Sequence, residues 1–323
     1  MEFYTDIEKS RPLIEESIGR FGYAPEHNTD HYIYSGADYK ETILVRFEDG
    51  SALLTHRDPK TWDVFSEPVA SPERRAAILI EFLQYVLGDA SQKKVELHAQ
   101  SHGAEPRTVP PGAGLVRRVN LELHERTRRE LLGALPKNLR ARSINYTLLW
   151  PVFDLTKFDT FLAGGRYKDL RNAKVKFYRE HRVEVRDARE VSKEALRAIP
   201  KVWKSMRRAS DRVYTAMYDA YIENDFRGTT YARAFIVDGH VAGINAGWAI
   251  PNSTTYYAAI GLHDYSSKDL GDALNLEDLA FLKAAGFTHA DFAGGEKALT
   301  TYKLKFGEAR IYKSFIFSVA RRQ

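Results

Sequence analysis

The sequence predicts a mixed α/β (α+β) protein made of two consecutive units, each of which combines helices with strands, some of them joined by tight turns. Three observations predict this. The chain has 323 residues, more than the roughly 250–300 that usually share one hydrophobic core. Segments with helical periodicity alternate with short strand-like segments. Asp49-Gly50 and Asp238-Gly239 are residue pairs typical of tight turns between antiparallel strands.

The first unit is predicted over residues 1–145. Ser71 and Pro72 are residue types that favour a helix N-cap and first turn. The predicted elements of this unit are a helix (6–20), two strands (41–47 and 51–55), a helix (71–88) and two further strands (95–98 and 117–124).

The second unit is predicted over residues 146–323. Its elements are a strand (147–154), a helix broken near Gly164 (159–181), a strand (183–186), two helices (193–208 and 213–224), three strands (231–237, 241–250 and 254–261), a helix (270–285), a strand (289–293), a helix (296–306) and a final strand (311–319).

Composition excludes several classes of protein. The charged fraction is 28% and the aromatic fraction 12%, which is typical of a folded chain and not of a disordered one. Cysteine is absent, so disulfides, thiolate metal sites and cysteine nucleophiles are excluded. No apolar run reaches the roughly 18–20 residues of a membrane span, and residues 1–20 are too acidic for a secretory signal. A cytoplasmic location is expected. The histidines lack metal-ligand spacing, so no metal is expected.

Positive charge is concentrated in two windows. Residues 126–142 and 166–189 each carry a net charge of +5, equal to that of the whole chain. Two solvated helix faces explain these windows, and so does a surface for a polyanion, either nucleic acid or an anionic membrane face. The candidate polyanion-binding residues are Arg166, Lys168, Arg171, Lys174, Lys176 and Arg179.

Three motifs in the second unit resemble those of the Gcn5-related (GNAT-fold) acyltransferase superfamily. Residues 268–273 (KDLGDA) resemble its acyl-carrier loop, Q/R-x-x-G-x-G/A. Residues 279–291 (LAFLKAAGFTHAD) resemble the helix and strand that follow this loop, and residues 301–307 (TYKLKFG) resemble the closing motif, an aromatic residue before K-x-x-F-G. The resemblance implies two tandem GNAT-like units, each with a mixed, largely antiparallel sheet flanked by helices.

Two features are closer to the aminoacyl-tRNA-dependent branch, which includes the Fem-type transferases and the C-terminal domain of phosphatidylglycerol lysyltransferase. Lys303 follows an aromatic residue in the closing motif, and residues 164–173 (GGRYKDLRNA) are similar to the lysyltransferase signature G-x-K-Y-x-x-L-R-N. This resemblance implies aminoacyl-tRNA as co-substrate, tRNA as a partner and no bound cofactor. The acceptor would be an amine or hydroxyl of a small molecule, peptide or lipid head group, and peripheral membrane contact remains open.

The acyl donor is expected at the loop before the 270–285 helix. A loop between a strand and a helix presents free backbone N–H groups at the positive end of the helix dipole, which favours phosphate. The predicted donor-binding residues are Ser266, Ser267, Lys268 and Gly271. An ordinary helix N-cap made by Ser267 or Asp269 explains the same residues. Asp269 and Asp272 would repel a pyrophosphate, which weighs against coenzyme A.

The predicted catalytic residues are Lys303, Tyr302 and Asp291. The resemblance implies that Tyr302 protonates the leaving group and that Lys303 acts near the reacting ester. A lysine ammonium stabilises a developing oxyanion or a phosphate at close range. Asp291 ends an apolar strand, where a carboxylate is a candidate base. The alternatives are that Lys303 and Tyr302 lie on a solvated surface helix, and that Asp291 accepts hydrogen bonds within a turn.

A weaker prediction concerns an acceptor pocket. Tyr214, Tyr218 and Tyr221 fall at i, i+4 and i+7, on one helix face, and His263 follows a predicted strand. The tyrosines would form either an aromatic wall of the donor or acceptor site or part of the core. His263 would either transfer a proton or lie in a loop without a function.

Three functions therefore stay open from sequence. An aminoacyltransferase using charged tRNA explains the basic windows and the lysine of the closing motif. An acetyl-coenzyme A-dependent N-acyltransferase explains the fold and the 268–273 loop. A noncatalytic RNA- or membrane-surface-binding relative explains the basic windows alone.

Overall fold

The structure is a computed structural model that describes residues 1–88, 116–206 and 215–322. They form two compact units, Met1–Leu149 with Tyr312–Gln323, and Trp150–Ile311. The sequence predicts that all of residues 146–323 belong to the second unit. In the structure, Ser314–Val319 pair with a strand of the first unit, so most of the last strand belongs to that unit. The predicted strand 95–98 lies outside the described residues.

The strands are β1 Glu2–Tyr4, β2 Glu41–Arg46, β3 Ala52–Asp58, β4 Thr61–Val64, β5 Arg118–His124, β6 Leu139–Ala141, β7 Tyr146–Asp154, β8 Val183–Asp187, β9 Tyr231–Val237, β10 His240–Ala249, β11 Thr255–His263, β12 His289–Asp291 and β13 Ala309–Arg321. The helices are α1 Arg11–Phe21, α2 Thr29–Ser35, α3 Arg75–Leu87, α4 Glu125–Ala134, α5 Lys168–Glu180, α6 Lys193–Ser205, α7 Ala216–Glu223, α8 Leu270–Ala284 and α9 Lys297–Lys303. No helix in these ranges is long and apolar enough to cross a membrane.

The first unit is a sheet in the order β1-β2-β3-β4-β5-β13, with β6 also paired to β13. Its strands are antiparallel except β4 and β5, which are parallel. Alternate residues of β5, such as Val119 and Leu121, are buried with Phe82 and Leu83 of α3. Each such buried side chain contributes roughly 1.5–3 kcal/mol, so this apolar face holds the helix on the sheet.

The second unit is a sheet in the order β7-β12-β11-β10-β9-β8. Its only parallel pair among the described strands is β11 with β12, and this pairing covers just Thr255–Tyr257 against His289–Asp291. Beyond Tyr257, β11 stays paired to β10 as far as His263, whereas β12 has ended. The two strands therefore part, and one edge of residues 258–263 faces the gap.

The predicted mixed α/β class is confirmed, and most elements of the second unit begin and end close to their predicted bounds. One difference is the helix predicted over 159–181, which as α5 begins only at Lys168. The Asp159 carboxylate accepts the N–H groups of Phe161 and Ala163 at 2.9 and 2.7 Å, and this local turn competes with the helix. Short elements of the first unit, such as β1 and α2, escaped prediction.

Candidate active site

A cavity of about 1040 Å³ lies in the second unit, where β11 and β12 part. It is bounded by the open edge of β11, the first turns of α8, the residues after β12 and the helix α9. Its polar lining includes Asn245, His263, Ser267, Lys268, Asp269, Asp272, Asn275, Asp278, Tyr302, Lys303 and Lys305. Most of the residues predicted for catalysis and donor binding therefore share one cavity.

Lys303 is held at the end of β12. Its Nζ donates hydrogen bonds to the carbonyl oxygens of Phe292 and, at 3.1 Å, of Ala293. Burial lowers the pKa of Lys303 to about 8, and the Asp291 carboxylate partly opposes this shift. An ammonium has three N–H donors. Two are taken by these carbonyls, which leaves one for a molecule in the cavity.

Asp291 lies behind this lysine. It is only 1% exposed and is absent from the cavity lining. One of its oxygens accepts the N–H of Ala293 at 2.9 Å. Its position makes it a turn ligand and a counter-charge for Lys303, and gives it no direct access to a substrate.

Tyr302 forms a cluster with Asp272 and Lys305. Its hydroxyl donates to Oδ1 of Asp272 at 2.9 Å, and Lys305 pairs with the same oxygen while its Nζ lies 4.0 Å from the centre of the Tyr302 ring. Burial, and then the Asp272 carboxylate, raise the pKa of Tyr302, so its hydroxyl keeps its proton. The sequence predicts that the negative charge of Asp272 repels a phosphate ligand. The ion pair with Lys305 compensates that charge.

Gly271 allows three elements to meet at this point. A Cβ on Gly271 would lie 2.9 Å from Nε2 of His263 and 3.0 Å from the Tyr302 hydroxyl. A methyl group here would displace the His263 ring and the Tyr302 hydroxyl, so glycine lets the start of α8 lie against both of these side chains without shifting them. The His263 ring also packs on that of Tyr265, with centroids 4.1 Å apart.

The loop before α8 divides the predicted donor-binding residues. Ser267, Lys268 and Gly271 line the cavity. Ser266 does not, because its hydroxyl and N–H both donate to Asp264, at 2.6 and 2.9 Å. Asp269 is the N-cap residue, with a φ of 67° and no side-chain capping hydrogen bond. The alternative of an Asp269 cap is therefore wrong, and the helix N-terminus stays available to a ligand.

A buried carboxylate, Asp278, was missed by sequence reasoning. It lines the cavity, is 6% exposed and accepts a hydrogen bond from Arg233 at 2.6 Å. Burial raises the pKa of Asp278 to about 6, although Arg233 and Asn245 lower it. The available signal was its position between Leu274 and Leu282 on the apolar face of α8, where a charged residue needs a partner.

The predicted tyrosine face is divided as well. Tyr218 lines the cavity, with its ring edge-on to that of Trp203 at 5.8 Å. Tyr221 is fully buried and stacks on Trp248, so it belongs to the core. Tyr214 lies outside the described residues.

The predicted polyanion-binding residues lie at and just before the start of α5 and along it, and several have partners within the unit. Arg166 donates to the Gly307 carbonyl at 3.2 Å and pairs with Glu308 at 3.6 Å. Arg171 donates to the carbonyls of Leu162 and Gly164, which ties down the loop before the helix. Lys176 and Arg179 both pair with Glu180, at 3.9 and 3.4 Å. Lys168 is exposed and Lys174 half-buried, and neither has an ion pair with a described residue.

No protein-family model and no curated protein matches the chain, but solved structures do. The structure of L-PGS from Bacillus licheniformis has a TM-score of 0.65 and 14% identity, over 99% of this chain and 94% of that one. The C-terminal domain (DUF2156) of a putative lysylphosphatidylglycerol synthetase from Agrobacterium fabrum has a TM-score of 0.63 and 14% identity, over 97% and 92%.

Two further structures extend the comparison. A tandem GNAT protein from the clavulanic acid biosynthesis pathway and FemX both have a TM-score of 0.53, at 13% and 12% identity, and both alignments cover at least 97% of each chain. At these identities the likeness establishes the fold. The chain has the tandem GNAT fold that its motifs predicted.

Proposed function

We propose that this protein is an acyltransferase that transfers an aminoacyl group from aminoacyl-tRNA to an amine or hydroxyl acceptor in the cavity between β11 and β12. The observation that carries the proposal is Lys303, a half-buried ammonium with one N–H free at the point where these strands part. The fold supports acyl transfer, and one neighbour is described as a putative lysylphosphatidylglycerol synthetase.

Lys303 stabilises the charge that develops on the acyl oxygen. Attack on the ester carbonyl places a negative charge on that oxygen, and a fixed cation in a partly desolvated site lowers the barrier. With a pKa of about 8, Lys303 keeps its proton at neutral pH. The carbonyls of Phe292 and Ala293 fix its direction, so little reorganisation is needed during the reaction.

Two other groups of the cavity handle protons. An attacking ammonium must lose a proton, and Asp278, with a pKa of about 6, is an ionised acceptor at neutral pH. The leaving ribose hydroxyl has a high pKa and needs an acid. Tyr302 keeps its proton and supplies it when its O–H turns from Asp272 to the leaving oxygen. Asp278 thereby takes the role of base that the sequence had given to Asp291.

Charge at the mouth of the cavity favours a tRNA donor over coenzyme A. Asp269 stands at the N-cap of α8, where a coenzyme A pyrophosphate would bind, and its carboxylate repels that group. Lys168 and Lys174 supply cations on α5 for a longer polyanion.

Acetyl-coenzyme A is the second candidate donor. One observation favours it: Asp269 leaves the N-terminal N–H groups of α8 without a side-chain cap, and such groups bind phosphate.

The test offers the purified protein separately radiolabelled aminoacyl-tRNAs and labelled acetyl-coenzyme A, with amine, peptide and lipid acceptors, and asks which label leaves its carrier. Lys303→Ala should lower turnover by roughly 10²–10³, the usual effect of losing one oxyanion contact. Lys297→Ala is the matched control, because Lys297 is exposed on the same helix and outside the cavity. Transfer from acetyl-coenzyme A alone, or full activity of Lys303→Ala, would contradict the proposal.

A further inference from the structure

Arginines from two distant strands meet on one face of the first unit's sheet. Arg140 of β6 is paired with Ala320 of β13. On the other side of β13, Val319 is paired with Val119, and continuing this register by one residue places Arg118 beside Ala320. Paired residues share a face of a sheet, and neighbouring strands are about 4.8 Å apart. Arg118 and Arg140 therefore stand on one face, with Cα atoms about 10 Å apart.

A second row extends this face. The Arg142 N–H donates to the Ser318 carbonyl at 2.8 Å, and Ser318 is paired with Asn120. Because side chains alternate along a strand, Arg142, Ser318 and Asn120 lie on the same face as Arg140 and Arg118. The opposite face carries Val119, Leu121 and Val319 and packs on the core.

The three arginines present their side chains to solvent. Arg118, Arg140 and Arg142 are all exposed, and Arg118 influences the carboxylate of Asp63, whose pKa burial raises and the charge of Arg118 lowers. Residues 131–153 and 309–323 contain no aspartate or glutamate, while Lys137 and Arg322 add cations at the strand ends. The acid of the neighbouring strand, Asp63, is 8% exposed and accepts the Asn120 amide at 2.6 Å. The arrangement differs from α5, where four of the six predicted cations already have partners.

We propose that Arg118, Arg140 and Arg142, here called the arginine face, bind the phosphate backbone of an RNA. Guanidinium groups bind phosphodiesters through two parallel N–H donors. Tyr146, four residues after Arg142 and 57% exposed, is an aromatic side chain of the type that stacks on an unpaired base. An anionic lipid surface binds clusters of about four to eight lysines or arginines next to an apolar helix face that inserts into the interface, whereas this face lies on a sheet. Identification of this RNA as the tRNA of the donor rests on the proposed function.

The test measures filter binding of the full-length protein to deacylated bulk tRNA between 50 and 200 mM salt. The triple variant Arg118→Gln, Arg140→Gln, Arg142→Gln should lower affinity at 50 mM salt at least tenfold and reduce the slope of log K against log salt by about 2–3, since each phosphate contact contributes about 0.9. The control is Arg126→Gln, Lys157→Gln, Arg186→Gln. It removes the same charge from exposed residues that are ion-paired to Glu130, Asp154 and Glu184.

Equal affinities of the two triple variants would overturn the inference. So would unchanged tRNA binding together with lost binding to phosphatidylglycerol vesicles, which would assign the face to lipid. Thermal melting checks that both variants remain folded. The proposed function is tested separately by the transfer assay. If the triple arginine variant loses tRNA affinity but the protein transfers no aminoacyl group, only the proposed function is refuted. If the protein transfers an aminoacyl group but the triple variant keeps its tRNA affinity, only this inference is refuted.

Discussion

Replacing Lys303 with methionine should lower transfer by roughly 10²–10³ without lowering stability at neutral pH. The physical reason is burial, which lowers the pKa of Lys303 from its ordinary 10.5 to about 8. Between these two values the unfolded chain binds the proton more tightly than the native protein does. Stability therefore falls as the pH drops from about 10.5 to about 8, and the penalty is constant below that.

The size of the penalty follows from the shift. At 1.36 kcal/mol per pKa unit it reaches roughly 3 kcal/mol at pH 7. Methionine removes it but also removes two hydrogen bonds to the carbonyls of Phe292 and Ala293, each contributing about 0.5–1.5 kcal/mol. At pH 7 the variant should be as stable as the wild type or slightly more so. Between pH 7 and 9.5 the wild type should gain roughly 2 kcal/mol relative to the variant.

Urea unfolding at both pH values measures this difference. Tryptophan fluorescence reports mainly on the second unit, which holds Trp150, Trp203 and Trp248. Lys297→Met is the control, because Lys297 is exposed on α9 and should show no such pH dependence. A wild-type-minus-variant difference that is the same at both pH values would refute the reasoning. So would a loss of more than about 2 kcal/mol at pH 7, since Lys303 would then serve the fold.

Three further outcomes are expected. The dependence of kcat/KM on pH should be bell-shaped, rising as Asp278 ionises near pH 6 and falling as Lys303 loses its proton near pH 8. Asp278→Asn should remove the rise on the acid side, and a rise that survives in this variant belongs to another group. Tyr302→Phe should lower kcat at least tenfold with an aminoacyl ester, whose leaving hydroxyl needs an acid, and a change below about threefold would exclude Tyr302 as that acid. Gly271→Ala should lower kcat/KM roughly tenfold, because its Cβ would press on His263 and the Tyr302 hydroxyl; Gly133→Ala, whose Cβ meets nothing within 4 Å, should leave activity unchanged.

Local sequence pattern was sufficient for the order of elements in the second unit, and the resemblance of its motifs to those of GNAT proteins indicated residues that line its cavity. The periodicity of residues 270–285, the strand after it and the closing helix each depend on neighbours only a few positions away. Gly271, Tyr302 and Lys303 lie inside these segments. Their placement at one cavity follows once the segments pack as a GNAT unit.

Tertiary structure alone decided which charges remain available to a ligand. Arg171 and Ser266 have the residue types of ligand-binding groups, yet Arg171 holds the loop at Leu162 and Ser266 bonds to Asp264. Asp278 is a buried carboxylate whose charge is compensated by a hydrogen bond from Arg233, 45 positions away in sequence. Whether a polar side chain is already hydrogen-bonded or ion-paired within the protein depends on partners that can lie far from it in sequence.

The arginine face shows the same dependence at a longer range. Arg118 and Arg140 lie on either side of β13, a strand that begins at Ala309, and a shift of one residue in either pairing would turn their side chains to the opposite face. The charge of each segment can be read from its sequence. The register that brings the segments together cannot, because it is set by the packing of a whole sheet face against its helices, and no periodicity within one strand encodes that packing.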